Sequence, residues 1–206
     1  MPELFADLAE GASAVRQFFP DPPDADSLRA CAASAQARSI PRAELCNLLL
    51  KQAEWFACGE RSIVAIQKLH SPKTVAIVAS LHPGLFGGTL DGWLKLCTAA
   101  RLAAWLEEDG IPAVPVGWMD PAVGAAGQRV MILSSSGLRR YELDPSANGE
   151  AATSRRVESL LDQIACASGL VAAESDLLML LKTAYLPDGD LRRGCGRTLA
   201  RRGRSG

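Results

Sequence analysis

The sequence predicts an α/β protein, with a parallel β-sheet, a helical lead-in before the sheet and further helices after it. Two short segments, TVAIVAS at 74–80 and IPAVPVGWM at 111–119, are apolar on both faces, as buried parallel strands are. A helical segment of about five turns lies between them at 89–108, and glycines fill the turn after the first strand. This order of strand, helix and strand predicts a parallel crossover, which we expect to be right-handed.

Residues 1–72 predict a helical lead-in that packs on the core. Residues 3–19 are expected to form one or two helical pieces, which end at the prolines of PDPPDAD because proline cannot continue a helix. Ser27 is the expected N-cap of an alanine-rich helix. Pro41 suits the first turn of the following helix, and Gly59 is expected to end it.

The core is expected to span 73–190 and to continue past the crossover. RVMIL at 129–133 and RRYEL at 139–143 predict two further strands, as a hairpin or within a sheet of three or four strands. Such a small sheet leaves an edge exposed, which favours a homodimer. TSRRVESLLDQIACAS and ESDLLMLLKTAYL predict two more helices.

The last segment, 191–206, has six arginines and no acidic residue. We expect it to be a basic, disordered tail. A basic tail can bind nucleic acid, but this one has no aromatic residue to stack on a base, and the other 190 residues carry 16 basic and 23 acidic side chains. Nucleic-acid binding is therefore disfavoured. An early stop or a shifted reading frame is one hypothesis for this arginine-rich end.

Length and composition indicate a globular protein. Of its 206 residues, 48% are hydrophobic and 22% are charged, which suits one domain with a buried core. No apolar run approaches the roughly 18–20 residues that cross a bilayer, and the acidic start lacks the pattern of a signal peptide. We therefore expect a cytoplasmic protein with no membrane partner. The six cysteines form no CxxC pair and there are only two histidines, so no metal site is predicted.

The glycine-rich turn LHPGLFGGTLDGWLK, 81–95, is the candidate site, and two interpretations stay open. Gly84, Gly87 and Gly88 could let backbone amides approach a phosphate or carboxylate, beside the positive end of the following helix. They could equally serve a tight turn that needs glycine. Thr89 follows Gly88 where a Walker A loop needs lysine, and GxGxxG is also absent, which disfavours a nicotinamide-dependent oxidoreductase.

Two charged or titratable side chains flank this turn. Lys95 lies in the second helical turn, where its side chain leans towards the helix start and could neutralise an anion. The alternative interpretation of Lys95 is an exposed ion pair with Asp91, four residues earlier. His82 could act in acid–base chemistry, but no carboxylate or GxSxG elbow accompanies it in the sequence, and a packed loop histidine is the other interpretation.

Residues 74–118 resemble the N-terminal Rossmann-like region of BshC, the cysteine-adding enzyme family of bacillithiol biosynthesis. The match is long and ungapped around the glycine-rich turn and weakens towards both ends of the chain. The matching residues are Pro83, Gly84, Leu85, Phe86, Gly87, Gly88, Leu90, Lys95, Thr98, Leu102, Ala103, Pro115, Val116 and Trp118.

The resemblance implies a partial Rossmann-like fold of the nucleotidyltransferase type and a ligase reaction that joins cysteine to glucosaminyl-malate. It also implies a homodimer and a nucleotide as the class of cofactor. Together with the turn, it predicts that the substrate-binding residues are His82, Gly84, Gly87, Gly88, Lys95 and Trp118. It assigns no catalytic residue.

The chain departs from the family pattern in places that bear on catalysis. Ser80, Leu81 and His82 replace a GQQ sequence, and 122–125, AVGA, stand where the family has an EDHD run that could carry protons or a metal. Family members are also more than twice as long. Two hypotheses follow. The chain is a divergent or truncated cysteine ligase, or it is a non-catalytic, degenerate Rossmann-like module that binds a small anion or a partner chain.

Overall fold

A computed structural model describes residues 6, 7, 10, 24–120, 128–134, 137–143, 150–168, 172–186 and 190–202. The elements in chain order are α1 Ala25–Gln36, α2 Arg42–Trp55, α3 Glu60–Lys68, β1 Val75–Leu81, a 3₁₀ turn Leu85–Gly87, α4 Leu90–Glu108, β2 Ala113–Met119, β3 Gln128–Ser134, β4 Gly137–Leu143, α5 Glu150–Ser168, α6 Ala172–Tyr185 and α7 Leu191–Arg202. Most of the helical pieces expected at 3–19 lie outside the described residues.

The crossover has the predicted architecture. Strands β1 and β2 pair in parallel, from Val75 opposite Ala113 to Leu81 opposite Met119, and α4 connects them. This confirms a mixed α/β fold that contains part of a Rossmann-like sheet. The expected sheet of three or four strands is not formed by the described residues. Strands β3 and β4 instead make a separate antiparallel hairpin. Leu143 of β4 packs among the C-terminal helices.

Apolar layers hold the strand pair between helices. On one face Val75 and Ala113 pack against Ala103 and Leu106 of α4 and Ala32 of α1. Because successive strand residues point to opposite faces, Val114 faces the other way, where it packs with buried residues of the α2–α3 region, Cys46 and Leu69.

The C-terminal helices form a second core that includes part of the glycine-rich turn. Leu85 lies in the same cluster as Leu161 of α5 and Leu181 and Tyr185 of α6. The turn is thus tied to residues about one hundred positions later in the chain.

The predicted disordered tail is wrong for residues 191–202, which form α7. The helix is held because small residues give it a buried face. Gly194, Cys195, Gly196 and Thr198 are all buried, and a methyl group at Gly194 would stand only 2.2 Å from the ring of Tyr185. The tail's last residues, 203–206, lie outside the described part of the chain.

Two helix boundaries also differ from expectation. Asp24, not Ser27, caps α1, since its Oδ1 accepts a hydrogen bond from the Ser27 backbone N–H at 2.8 Å. Helix α2 ends at Trp55, and Gly59 instead precedes α3 as its N-cap. Within the described ranges no helix is long and apolar enough to span a membrane. The proposed segment boundaries at 72 and 190 remain predictions.

Candidate functional site

The glycine-rich turn lies where the parallel strands end, at the edge of the sheet where open α/β proteins bind ligands. Strand β1 ends at Leu81, and α4 begins at Leu90 with Thr89 as its N-cap. The Thr89 hydroxyl accepts a hydrogen bond from the Gly92 N–H at 3.2 Å. The polypeptide therefore passes from strand to helix within eight residues.

Three successive residues of the turn have positive φ. The values are +59° at Phe86, +94° at Gly87 and +87° at Gly88. Glycine adopts this conformation readily, whereas a bulky residue does so only rarely. Space is also limiting, because a Cβ at Gly87 would lie 2.8 Å from the indole of Trp93 and one at Gly88 would lie 2.8 Å from the His82 carbonyl oxygen. Both glycines are therefore needed to build the turn.

The amides of these two glycines are already engaged inside the chain. The Gly87 N–H donates to the Tyr185 hydroxyl at 3.2 Å, and the Gly88 N–H donates to the Leu85 carbonyl at 3.2 Å. This geometry favours the tight-turn interpretation for Gly87 and Gly88. In the part of the chain that is described, no acceptor is hydrogen-bonded to the backbone N–H of Leu90 or Asp91, so the donors open to an anion are those of the first turn of α4.

Tyr185 contacts the glycine-rich turn from its buried side. Its hydroxyl donates to the Gly84 carbonyl oxygen at 2.9 Å while it accepts from Gly87. Only 1% of the residue is exposed, and burial holds the pKa of the phenol far above its usual value. The hydroxyl therefore keeps its proton at neutral pH and remains a donor.

Helix α7 packs on the buried side of the turn, next to Tyr185. Cys195 is 1% exposed, and burial raises the pKa of its thiol, against the smaller effect of a hydrogen bond from the Gly84 backbone. The Thr198 hydroxyl, also buried, donates to the Gly194 carbonyl oxygen at 2.8 Å. Sequence reasoning missed these residues. The available signals were a tyrosine at the end of an apolar helix and the close pair of glycines around Cys195.

The side chains predicted to bind substrate are exposed, but they do not share one face. The Lys95 Nζ lies 2.7 Å from Asp91 Oδ2, with 47% of the lysine side chain exposed. His82 is exposed just after β1. A Cβ at Gly117 would touch Leu96 of α4 at 3.0 Å, so the neighbouring Trp118, 63% exposed, points to the opposite face of the strands.

The described residues contain no group of three histidine, cysteine, aspartate or glutamate side chains placed to hold a metal ion. The segment 122–125, where the family pattern has acidic residues and histidine, lies outside the described part. The substrate-binding roles of His82, Lys95 and Trp118 thus remain predictions from the sequence.

Comparison with known proteins agrees with this architecture. The family described as "Bacillithiol biosynthesis BshC, N-terminal Rossmann-like domain" matches residues 2–200. A protein of Salinibacter ruber named "Putative cysteine ligase BshC" is 35% identical over 121 residues, 58% of this chain and 22% of the relative. Proteins of the same name from Koribacter versatilis and Chlorobium phaeobacteroides are 25% and 26% identical over 96% and 80% of this chain.

This chain corresponds to only part of those relatives. It spans 38% of the Koribacter protein and 31% of the Chlorobium protein. Since the family match covers nearly the whole chain, and the strand pair, crossover helix and glycine-rich turn are all present, the chain belongs to the BshC family of bacillithiol biosynthesis, as its N-terminal Rossmann-like domain.

Proposed function

We propose that this chain is a divergent or truncated cysteine ligase that adds cysteine to glucosaminyl-malate, with the substrate bound at the start of α4. Family membership supports the reaction class. The observation that carries the binding role is the first turn of α4, where the backbone N–H groups of Leu90 and Asp91 and the nearby Lys95 stand at the carboxyl end of β1. Helix N-termini attract anions, and a malate group carries two carboxylates.

The proposed reaction forms an amide bond. The carboxyl carbon of cysteine bonds to the amine nitrogen of the glucosaminyl group, the nitrogen loses a proton, and one carboxyl oxygen leaves. A free carboxylate is a poor electrophile, so we propose a nucleoside triphosphate as the class of co-substrate that activates it, and the leaving oxygen departs on the phosphoryl group that the triphosphate supplies. The residues described here are assigned to binding, with no catalytic step placed on any of them.

Lys95 can change partners at small cost. Its present partner is Asp91, with 66% of that side chain exposed, and an exposed i,i+4 pair contributes only about 0.3–0.5 kcal/mol. A ligand carboxylate at the start of α4 would meet both the lysine and the two backbone donors. We therefore propose that Lys95 binds a carboxylate of the malate group.

Replacing Lys95 by glutamine is expected to weaken binding of glucosaminyl-malate about ten- to 150-fold, because a hydrogen bond to a charged group contributes roughly 1.5–3 kcal/mol. Isothermal titration calorimetry on the purified chain measures the dissociation constant for glucosaminyl-malate. Malate and ATP are titrated separately as further ligands. Lys51→Gln, an exposed lysine of α2, is the matched control and should bind as the wild type does. Equal affinity in Lys95→Gln and wild type would show that the lysine takes no part.

The activity itself is tested by mass spectrometry. The chain is incubated with cysteine, glucosaminyl-malate and ATP, and a full-length family member serves as the positive control. The cysteine adduct is the expected product. Binding of glucosaminyl-malate without product would leave the non-catalytic, anion-binding module as the function of this chain.

A second candidate function, binding a partner chain, is favoured by an exposed apolar surface. Val78 is 58% exposed and Trp118 63% exposed, and both point away from α4 with the exposed Ser80 between them on the same face. Parallel sheets are normally covered on both faces. We infer that a second copy of the chain covers this surface and forms a homodimer.

Val78→Glu is expected to convert this homodimer into a monomer, because it places a charge in the apolar contact. Size-exclusion chromatography with light scattering reports the mass. Met179→Glu on α6, another position with an exposed apolar side chain (67%), should leave the dimer unchanged. A monomeric wild-type chain at micromolar concentration would contradict the proposal.

A further inference from the structure

We propose that Tyr185 is a positioning residue of the candidate site: its hydroxyl holds the Gly84–Gly87 turn in the conformation that starts α4 correctly for anion binding. The inference rests on the proposed function in taking an anion at the first turn of α4 as the ligand. The evidence for the hydroxyl's role in holding the turn is independent of that ligand.

The phenol bridges the two ends of the 3₁₀ turn Leu85–Gly87. The Tyr185 hydroxyl contacts both ends, donating to the Gly84 carbonyl oxygen at 2.9 Å and accepting from the Gly87 N–H at 3.2 Å. A residue almost one hundred positions away in the chain therefore links the two ends of the turn.

The bridged turn contains an uncommon backbone conformation. Phe86 has φ of +59°, which a bulky residue adopts only when its surroundings compel it. Its ring packs edge-on against the ring of Tyr185, with centroids 6.1 Å apart and planes at 88°. The same tyrosine thus contacts the turn through both its hydroxyl and its ring.

The tyrosine is itself fixed by α7. Gly194 allows the helix backbone to touch the ring, since any Cβ there would lie 2.2 Å from it. Cys195 and Thr198, both buried, stand next to the turn and the phenol. The hydroxyl is therefore enclosed between α7 and the turn, away from solvent.

Loss of the hydroxyl is expected to loosen the turn. The buried Gly84 carbonyl and Gly87 N–H would then lack their shared partner, which destabilises the present conformation and opens the Gly87 amide to exchange. Leu90 and Asp91 follow Gly87 by three and four residues, so a shift of the turn moves the donors that face the ligand. Because alignment of donors determines their strength, anion affinity should fall.

The test compares Tyr185→Phe with Tyr141→Phe. These are the only two tyrosines, and Tyr141 lies in β4, half-buried and outside the turn. Hydrogen exchange of the Gly87 amide, followed by NMR on the chain without ligand, should become at least ten-fold faster in Tyr185→Phe and stay unchanged in Tyr141→Phe. The dissociation constant for glucosaminyl-malate, measured by calorimetry below the melting transition, should rise about ten-fold in Tyr185→Phe alone.

The exchange rate of Gly87 and the dissociation constant for glucosaminyl-malate distinguish the positioning role of Tyr185 from the proposed function. Unchanged Gly87 exchange in Tyr185→Phe would overturn the positioning role, whatever the ligand. Faster exchange with unchanged affinity would show that the hydroxyl holds the turn without serving the site, which also overturns it. If the wild type fails to bind glucosaminyl-malate while exchange responds as expected, the proposed function fails and the tyrosine's control of the turn is retained.

Discussion

Leu106→Ala is expected to lower the free energy of unfolding by about 2–5 kcal/mol, the range for leucine truncation in a packed core. Leu106 is 0% exposed and packs with Val75, Ala103 and Ala113, which join α4 to both parallel strands. The other buried residues of this cluster are alanines and a valine, and such small side chains cannot expand to fill the cavity. Urea unfolding followed by circular dichroism measures the change.

Leu48→Ala is the matched control for this prediction. Leu48 is also a helical leucine, but 54% of it is exposed on α2, so its truncation should alter stability by no more than about 0.5 kcal/mol. A loss below about 1 kcal/mol for Leu106→Ala would mean that α4 is not packed on the strands as described. The crossover itself would then be in question.

Gly194→Ala is expected to destabilise the chain by about 1–3 kcal/mol, although alanine is the better helix former, because overpacking outweighs that preference. The new methyl group would stand 2.2 Å from Tyr185 Cδ1 and 2.4 Å from Cε1. The ring is 1% exposed and held by hydrogen bonds to the glycine-rich turn, so it cannot swing away. Differential scanning calorimetry should show a lower melting temperature.

The control is a second helical glycine with room around it. At Gly92 in α4 an added Cβ would find its nearest neighbour at 3.5 Å, an ordinary contact. Gly92→Ala should therefore be neutral or stabilise by up to about 1 kcal/mol through helix propensity. If Gly194→Ala is as stable as Gly92→Ala, α7 does not pack against Tyr185 on the buried side of the turn.

The crossover was predictable because its signals are local. The apolar runs at 74–80 and 111–119 predicted strands at Val75–Leu81 and Ala113–Met119, and the intervening pattern predicted α4 to within a residue or two of its ends. Each depends on neighbouring residues that repeat with the period of one secondary structure. Strands β3 and β4 were predicted in the same way, with a hairpin as one of the two arrangements left open.

Helix α7 was mispredicted because the forces that hold it are not local. Its arginines indicated a solvated tail, whereas Gly194, Cys195, Gly196 and Thr198 provide a face whose value depends on Tyr185 and on Phe56, whose ring lies 2.5 Å from a Cβ built at Gly196. Small residues carry little hydrophobic signal of their own. Their effect is to let larger partners from other elements come close, and those partners cannot be identified before the fold is known.

In the candidate site, too, the local features were predictable and the long-range contacts were not. The order of residues placed a glycine-rich turn between a buried strand and a helix, with Lys95 in the second helical turn, because chain order and side-chain period are properties of neighbours. The folded chain decided which amides stay available, since Tyr185 arrives from α6 to engage Gly87, and it placed Trp118 on the face away from α4. Hydrogen-bond partners and shared faces depend on contacts between residues far apart in the chain, and these exist only when the whole domain has packed.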